Sequence, residues 1–203
     1  MPILSWYGHA CFKLDFGAGG SVVFDPYEFG CVPGAEMPDG VTADMVLCSH
    51  DHHDHNAAGR VSLSGNAPAF TVTAVDTYHD PEQGALRGTN RISMVEYGGF
   101  RAVHLGDLGC ALTAEQIEIL KGADLLLIPV GGHFTIGPEE AKRVMDQLMP
   151  RLTVPMHYRR GEMGFPIIAA LEDFTSLFES CTELPGSSLE IGPETRGLCV
   201  MNL

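Results

Sequence analysis

Residues 49–56 decide the fold and the chemistry of this chain, and they read Ser49-His50-Asp51-His52-His53-Asp54-His55-Asn56. Four of the protein's nine histidines lie within six consecutive positions here, and aspartates alternate with them. Imidazole and carboxylate groups together suit zinc, manganese, iron or nickel. Two other interpretations of this segment are a solvated polar loop and a remnant of an expression tag. A tag, however, would lie at a terminus and would not alternate aspartate with histidine. We therefore predict a metal site at this segment.

The spacing within the segment assigns its ligand-type residues to two neighbouring ions. The apolar run 45–48 directly before it is typical of a short buried strand. Where a strand leaves its sheet, residues two apart point the same way, so His50 and His52 can face one ion. Asp54 and His55 come one turn-like step later and are expected to face the other. The pattern H-x-H-x-D-H leaves the remaining aspartate and histidine of the segment outside the ligand set.

Composition and charge restrict the classes of function. The chain has 203 residues, of which 45% are hydrophobic and 19% charged, so we expect one domain spanning 1–203 with a substantial core. The formal net charge of −14 repels nucleic-acid phosphates and anionic membranes. We therefore predict a small-molecule substrate and no nucleic-acid or membrane partner.

Localisation and redox state follow from the N-terminus and the cysteines. No basic region precedes an apolar core at the N-terminus, and no run approaches the length of a membrane span, so a cytoplasmic protein is expected. Six scattered cysteines with no C-x-x-C pair favour reduced thiols over a disulfide framework.

Histidine and aspartate recur where predicted strands break or end, which is how open α/β sheets build a site. The predicted strands, with these residues, are 4–16, broken at His9; 21–24, followed by Asp25; 69–75, before His79; 91–96 and 101–105, a hairpin before Asp107 that contains His104; 124–130, before His133; 153–158, containing His157; and two strands within 188–202.

Three helices and one long loop complete the predicted pattern. Residues 113–116 form a capping box that starts a helix running to about Lys121. A proline in the first turn starts helices over 138–148 and 166–178. The loop 26–43 is rich in proline and glycine, and its length predicts a lid or a rim of a site.

Three of the residues at strand breaks and ends have specific expected roles. His9 and Asp25 lie at strand breaks, where we expect them to support metal ligands, because a ligating imidazole needs a partner for its other ring nitrogen. Asp107 lies between Gly106 and Gly109 after an apolar strand, a position suited to bridging two metal ions. An ordinary turn or helix-cap aspartate is the alternative for Asp107.

In order along the chain, these residues resemble the metallo-β-lactamase superfamily, whose pattern is H-x-H-x-D-H, a lone histidine, a bridging aspartate after glycine and a late histidine. The matching residues are His50, His52, Asp54, His55, His79, Asp107 and His157. Gly8-His9, Phe24-Asp25-Pro26 and Pro155-Met156-His157-Tyr158 are similar to the branch that includes ascorbate-6-phosphate lactonase and small metal-dependent hydrolases. The resemblance covers nearly the whole chain. It implies an α/β fold, a four-layer αβ/βα sandwich with a dinuclear site at one edge between the two sheets.

The resemblance also implies which residues hold which ion. The first ion takes His50, His52 and His79; the second takes Asp54, His55 and His157; and Asp107 bridges them. His104 competes with His79 for the third position at the first ion. We choose His79 because it follows a strand end with loop freedom, whereas His104 is expected to support the site from behind.

The implied activity is metal-dependent hydrolysis of an ester, lactone or phosphoester bond, in which two divalent cations activate a water molecule. Zinc is favoured, with manganese, iron and nickel as alternatives. Asp54 is expected to carry a proton to the leaving group, and His133, Tyr158 and Arg87 are the predicted substrate contacts. A non-catalytic metal-binding protein and a diiron redox protein are the alternative functions. Self-association into a homo-oligomer is open, and no contacting face is indicated.

Overall fold

The computed structural model describes residues 1–203, which form fourteen strands and three α-helices. The strands are β1 (Ile3–Trp6), β2 (Phe12–Asp15), β3 (Ser21–Phe24), β4 (Thr42–Ala43), β5 (Met45–Leu47), β6 (Ser62–Leu63), β7 (Thr71–Tyr78), β8 (Thr89–Tyr97), β9 (Phe100–His104), β10 (Leu125–Pro129), β11 (Leu152–Met156), β12 (Thr182–Glu183), β13 (Ser188–Glu190) and β14 (Gly197–Val200). The helices are α1 (Ala114–Leu120), α2 (Pro138–Leu148) and α3 (Leu171–Thr175).

A five-stranded sheet in the order β13-β1-β2-β3-β5 forms the first half of the molecule. The strands β1, β2 and β3 form an antiparallel meander, and β3 then pairs in parallel with β5. Strand β3 is buried on both faces: Val22 and Phe24 join the main core, and Val23 joins a smaller cluster on the opposite face. Strand β5 is the edge strand of this sheet, and residues 49–56 follow just after its end.

A seven-stranded sheet in the order β12-β14-β11-β10-β9-β8-β7 forms the second half. The strands β9, β10, β11 and β14 run parallel; α1 connects β9 to β10, α2 connects β10 to β11, and α3 follows β11. Every residue of β10 is buried, as expected for a parallel strand covered on both faces. The parallel direction brings the carboxyl ends of β9, β10 and β11 to one edge, where Asp107 and His157 follow.

The two sheets pack against each other around one hydrophobic core. Phe12 and Phe24 of the first sheet contact the His104 ring of the second, and the Phe24 and His104 rings stack with centroids 5.0 Å apart. The predicted sandwich of two sheets is therefore confirmed. The buried residues of the three helices join the main core together with those of the seven-stranded sheet. The outer face of the five-stranded sheet is covered by the loop 26–43, which buries Tyr27 and Met37 there.

The predicted helix over 166–178 is wrong in its extent, because only Leu171–Thr175 is α-helical. The preceding residues bond to neighbouring loops instead. The Ala169 N–H donates to the Gly131 carbonyl at 2.7 Å, and the Ala169 carbonyl accepts from the Arg159 N–H at 3.0 Å. These tertiary hydrogen bonds hold the segment in a non-helical conformation beside the end of β10.

No helix of the chain combines the length and the apolar character needed to cross a bilayer.

Candidate metal centre

Asp107 lies at the centre of a buried cluster of imidazoles. Its Oδ2 atom lies 3.2 Å from Nε2 of His157, 3.3 Å from Nε2 of His55, 3.3 Å from Nε2 of His79 and 4.0 Å from Nε2 of His50. The Asp107 side chain is 2% exposed. A carboxylate with imidazole nitrogens on several sides is placed to contact two cations at once.

The ligand-type side chains form overlapping groups around this carboxylate, and the ligand atoms of each group lie within 4.8 Å of one another. The groups are His50, His52 and His79; His9, Asp54, His55 and His157; and His50, His55 and Asp107. The residues that the sequence predicts for two ions thus converge from distant parts of the chain. His9 also reaches the second group, although it was expected only to support it.

Unpartnered buried atoms indicate that this donor set suits metal ions. His50 Nε2, His55 Nε2 and Asp107 Oδ1 are buried without a hydrogen-bond partner. Such atoms are destabilising unless something satisfies them, and neutral imidazole and carboxylate together are preferred ligands of zinc and similar metals. Burial and the charge of His55 lower the pKa of His50 to about 3, so its imidazole is neutral and can bind a cation.

Asp25 orients the rings of two of the candidate ligands, one of them through Ser49. Its Oδ1 accepts from the Ser49 N–H at 2.7 Å, and its Oδ2 accepts from Ser49 Oγ at 2.6 Å and from His55 Nδ1 at 2.8 Å. Since the Ser49 hydroxyl gives its proton to Asp25, the Ser49 oxygen accepts from His50 Nδ1, 2.9 Å away. Both imidazoles therefore present Nε2 to the centre. Sequence reasoning placed Asp25 behind the site but missed Ser49.

Three site residues have left-handed backbone conformations that side chains other than glycine rarely adopt. The φ angles are 52° for His9, 43° for Asp25 and 54° for His157. Each such residue costs on the order of 1–3 kcal/mol unless its surroundings hold it, and such residues cluster at functional sites. The backbone thus leaves its sheets abruptly at the points where side chains must turn towards the centre.

His104 supports the site from behind. Its Nε2 donates to the Ala10 carbonyl at 2.9 Å, and its Nδ1 accepts from the Gly106 N–H at 3.1 Å. Both ring nitrogens are therefore engaged with backbone groups. His79, by contrast, lies against Asp107 and in the same group as His50. The geometry favours His79 over His104 for the third position at the first ion.

Asn90 is a site residue that sequence reasoning missed. Its Oδ1 accepts from the Asp107 N–H at 2.9 Å, and its Nδ2 donates to the Leu105 carbonyl at 3.0 Å and to Thr77 Oγ1 at 2.8 Å. Asn90 is 1% exposed, and these bonds fix the turn that carries Asp107. Asn90 lies directly before the predicted strand 91–96, and no sequence pattern marked it as part of the site.

A cavity of about 290 Å³ opens over the cluster and is large enough for a small substrate. Its lining residues are His52, Asp54, His79, Arg87, Asp107, Phe134, His157 and Phe165. Asp54 Oδ2 accepts a hydrogen bond from His9 Nε2 at 3.3 Å. Burial raises the pKa of Asp54, but this hydrogen bond and the charge of His55 outweigh it and leave the pKa well below its ordinary value.

Two of the three predicted substrate contacts, Tyr158 and His133, do not line this cavity. Tyr158 is 2% exposed and packs against Trp6 in the core, because the left-handed turn at His157 interrupts the strand and sends the next side chain inwards. The His133 side chain is exposed and does not line the cavity. Its backbone carbonyl accepts a hydrogen bond from Arg87 Nη2 at 2.8 Å and so helps to hold the Arg87 side chain. Arg87 itself lines the cavity.

The segment 49–56 also contains the two residues that were left outside the ligand set. The His53 side chain is 79% exposed and bonds to Glu28. Asp51 accepts a hydrogen bond from Asn56 Nδ2. Neither residue belongs to the groups around Asp107.

Comparisons with known proteins identify relatives of this chain. A family model described as a beta-lactamase superfamily domain matches residues 3–157. A UPF0173 metal-dependent hydrolase from Thermococcus onnurineus is 30% identical over 229 aligned positions, which cover 94% of this chain and 100% of the relative. The solved structure of a proposed zinc-dependent hydrolase of the metallo-β-lactamase superfamily from Thermotoga maritima has a TM-score of 0.80 and 35% identity, covering 99% of this chain and 98% of that one. A metallo hydrolase from Ignicoccus hospitalis shares the fold at a TM-score of 0.62 and 20% identity, covering 87% of this chain and 91% of that one.

Proposed function

This chain belongs to the beta-lactamase superfamily and is a metal-dependent hydrolase, and we propose that it hydrolyses an ester, lactone or phosphoester bond of a small substrate at two divalent cations. One observation carries the proposal: Asp107 Oδ2 lies within 4.0 Å of four imidazole Nε2 atoms beneath an open cavity. An imidazole cluster around one carboxylate is the arrangement that a bridging ligand requires.

Each cation has its own protein ligands in this proposal. His50, His52 and His79 would hold the first cation, Asp54, His55 and His157 would hold the second, and Asp107 would be shared between them. Zinc suits the set, and manganese, iron and nickel have compatible ligand preferences. When bound, two divalent cations lower the pKa of a water molecule towards neutrality and stabilise negative charge on the reacting oxygen.

Asp54 is the proposed proton carrier of the reaction. One water oxygen bonds to the acyl carbon or phosphorus, the bond from that atom to the leaving oxygen breaks, and one water proton ends on the leaving oxygen. Asp54 lines the cavity, so its carboxylate can reach a bound substrate and pass that proton to the leaving oxygen. The hydrogen bond from His9 fixes the Asp54 carboxylate in place.

No protein nucleophile competes with water in this arrangement. The sequence contains no G-x-S-x-G motif. Cys31 is the cysteine that lines the shallow groove beside His52 and Asp54, and its Sγ donates to the His53 carbonyl at 3.4 Å. Burial and the charge of Asp54 raise the pKa of the Cys31 thiol, so it stays protonated and unreactive near neutral pH.

The proposal is tested by elemental analysis of the purified protein together with an activity screen of lactones, aryl esters and phosphodiesters. We expect two metal equivalents per chain and a turnover that a chelator abolishes and added metal restores. Bound metal without turnover on any substrate would favour the non-catalytic alternative. Iron with consumption of oxygen or nitric oxide would favour the redox alternative.

A matched pair of variants links the metal to the activity. His50→Ala removes a proposed ligand, so metal content and turnover should fall together. His53→Ala makes the same substitution three residues away, at an exposed side chain, and should retain both. Equal metal content in the two variants would contradict the ligand assignment.

A further inference from the structure

Arg87 differs from most other cations of this acidic protein in having no carboxylate partner. Of the twelve lysines and arginines, nine lie within 4.0 Å of a carboxylate oxygen. The remaining three are Arg87, Lys121 and Arg159. Only Arg87 of these three lines the cavity over the candidate metal centre. An unpaired guanidinium at that place, in a chain with a formal net charge of −14, is available to a ligand.

Neighbouring groups fix the Arg87 side chain on the cavity wall. Its Nη2 donates to the His133 carbonyl at 2.8 Å, and the guanidinium carbon lies 5.8 Å from the centroid of the Phe134 ring. A guanidinium has five N–H donors, so most of them remain free after this one hydrogen bond. Holding the group in advance reduces the entropy that a ligand must overcome to bind it.

Asp80 holds the backbone of Arg87 close to His79, one of the proposed metal ligands. This aspartate is fully buried and directly follows His79. Its carboxylate accepts from four backbone N–H groups, those of Glu82, Gly84, Leu86 and Arg87, at 2.8, 3.0, 3.1 and 2.7 Å. The whole loop 82–87 is thereby closed around one side chain. Asp80 therefore fixes the position of the Arg87 backbone relative to His79 and the candidate metal centre.

We infer that Arg87 recognises an anionic group of the substrate, a carboxylate or a phosphate, and that Asp80 is the residue that positions Arg87 for it. The inference rests on the proposed function and adds the substrate class: a small organic anion whose scissile bond lies at the metal centre. Guanidinium binds both kinds of anion through paired hydrogen bonds. The rings of Phe134 and Phe165 line the same cavity and suit the apolar body of such a molecule.

Substrate pairs of matched shape test the inference. We compare aryl acetates that carry a carboxylate, a phosphonate or a neutral carboxamide at the same ring position, using zinc-loaded enzyme. Arg87→Gln should lower the ratio of kcat/KM for the anionic esters to that for the neutral ester by about 10 to 100-fold, mainly through KM. The carboxylate and phosphonate arms show which anion is preferred. Arg91→Gln, which changes an exposed arginine paired with Asp76, should leave the ratio unchanged.

Calorimetry supplies a readout that does not need turnover. Titrating 4-hydroxybenzoate and 4-hydroxybenzamide into the zinc-loaded protein should show a preference for the anion that Arg87→Gln reduces. An unchanged preference in Arg87→Gln would overturn the inference. If no ester is hydrolysed in a metal-dependent way, the proposed function fails, and the calorimetric comparison still decides whether Arg87 binds anions.

The role of Asp80 has its own test. Asp80→Asn should reproduce the loss of anion preference at unchanged metal content. Hydrogen exchange in the unaltered protein provides a check that does not depend on folding of the variant: the amides of Gly84, Leu86 and Arg87 should exchange slowly. Exchange of these amides at the rate of an open loop, or a normal anion preference in Asp80→Asn, would overturn the positioning role.

Discussion

Asp25 Oδ2 accepts a hydrogen bond from Nδ1 of His55 at 2.8 Å, and this bond directs the opposite nitrogen of that imidazole to within 3.3 Å of Asp107 Oδ2. Asp25→Asn replaces one acceptor oxygen by an amide nitrogen. We therefore expect the affinity for zinc to fall by about 10 to 100-fold, the usual effect of removing a partner behind a metal ligand. Competition titration against a chelator measures this affinity.

Asp76→Asn is the matched control for Asp25→Asn, because the Asp76 carboxylate is exposed on β7 and pairs only with Arg91. Its zinc affinity should equal that of the unaltered protein. Equal affinities in Asp25→Asn and Asp76→Asn would show that Asp25 has no part in orienting the ligands.

Gly106→Ala should destabilise the turn before Asp107. Gly106 has φ 55°, and a Cβ there would overlap Asn90 Oδ1 and Ser49 Cβ. Gly98→Ala is the matched control, because Gly98 has φ 59° and no atom within 4 Å of an added Cβ. Both variants lose about 1–2 kcal/mol from the left-handed backbone. Gly106→Ala should lose about 1–3 kcal/mol more from overpacking.

Urea unfolding of the metal-free variants measures the difference between these two alanine substitutions. Gly106→Ala should also bind less zinc, since the overlap displaces the backbone next to Asp107. Identical unfolding free energies for the two variants would contradict the packing described around Gly106.

Metal binding should release protons. Burial disfavours a charged His55, but the carboxylates of Asp107 and Asp25 outweigh burial and raise the pKa of His55 well above its ordinary value. His55 is therefore protonated in the metal-free protein at pH 7, and a cation must displace that proton. Because protons compete with the cation below this raised pKa, affinity should rise with pH, by about tenfold per unit for one proton.

Calorimetry of zinc binding in two buffers of different ionisation enthalpy counts the protons released. We expect a release of at least about one proton per chain at pH 7. The same heat in both buffers would mean that no proton leaves and that His55 does not change its protonation state.

His9→Ala should reduce turnover while metal is retained. His9 Nε2 donates to Asp54 Oδ2 at 3.3 Å, so its loss frees the proposed proton carrier to move. We expect kcat to fall by about 10 to 100-fold. His133→Ala is the matched control, because His133 has a similar φ, 55° against 52°, and its side chain lies outside the cavity lining. Unchanged turnover in His9→Ala would remove His9 from the mechanism.

The set of candidate ligands was predicted from the resemblance to the metallo-β-lactamase superfamily, and local rules account for the placement of several of its members. His50 and His52 are two apart where β5 ends, and Asp107 and His157 follow the carboxyl ends of parallel strands, so periodicity and strand direction bring them to one edge. The two-sheet architecture was implied by the same resemblance. Alternating and continuous apolar runs marked the main strands of both sheets.

The errors arose where long-range contacts decide the conformation. The helix predicted over 166–178 is shortened by hydrogen bonds to Gly131 and Arg159, which no local pattern reveals. Tyr158 enters the core because of the backbone angle at His157, and a strand pattern assumes that alternation continues. Ser49 orients His50 only because it also bonds to Asp25, 24 residues away in the chain, and the partners of Asn90 include Thr77, 13 residues away. Their roles required the folded structure.

Anomalous diffraction from crystals of the zinc-loaded protein, measured at the zinc absorption edge, tests the central claim most directly. We predict two peaks per chain, one against His50, His52 and His79 and one against Asp54, His55 and His157, with the Asp107 carboxylate in contact with both. A single peak, or peaks away from Asp107, would contradict the dinuclear centre from which the proposed hydrolysis follows.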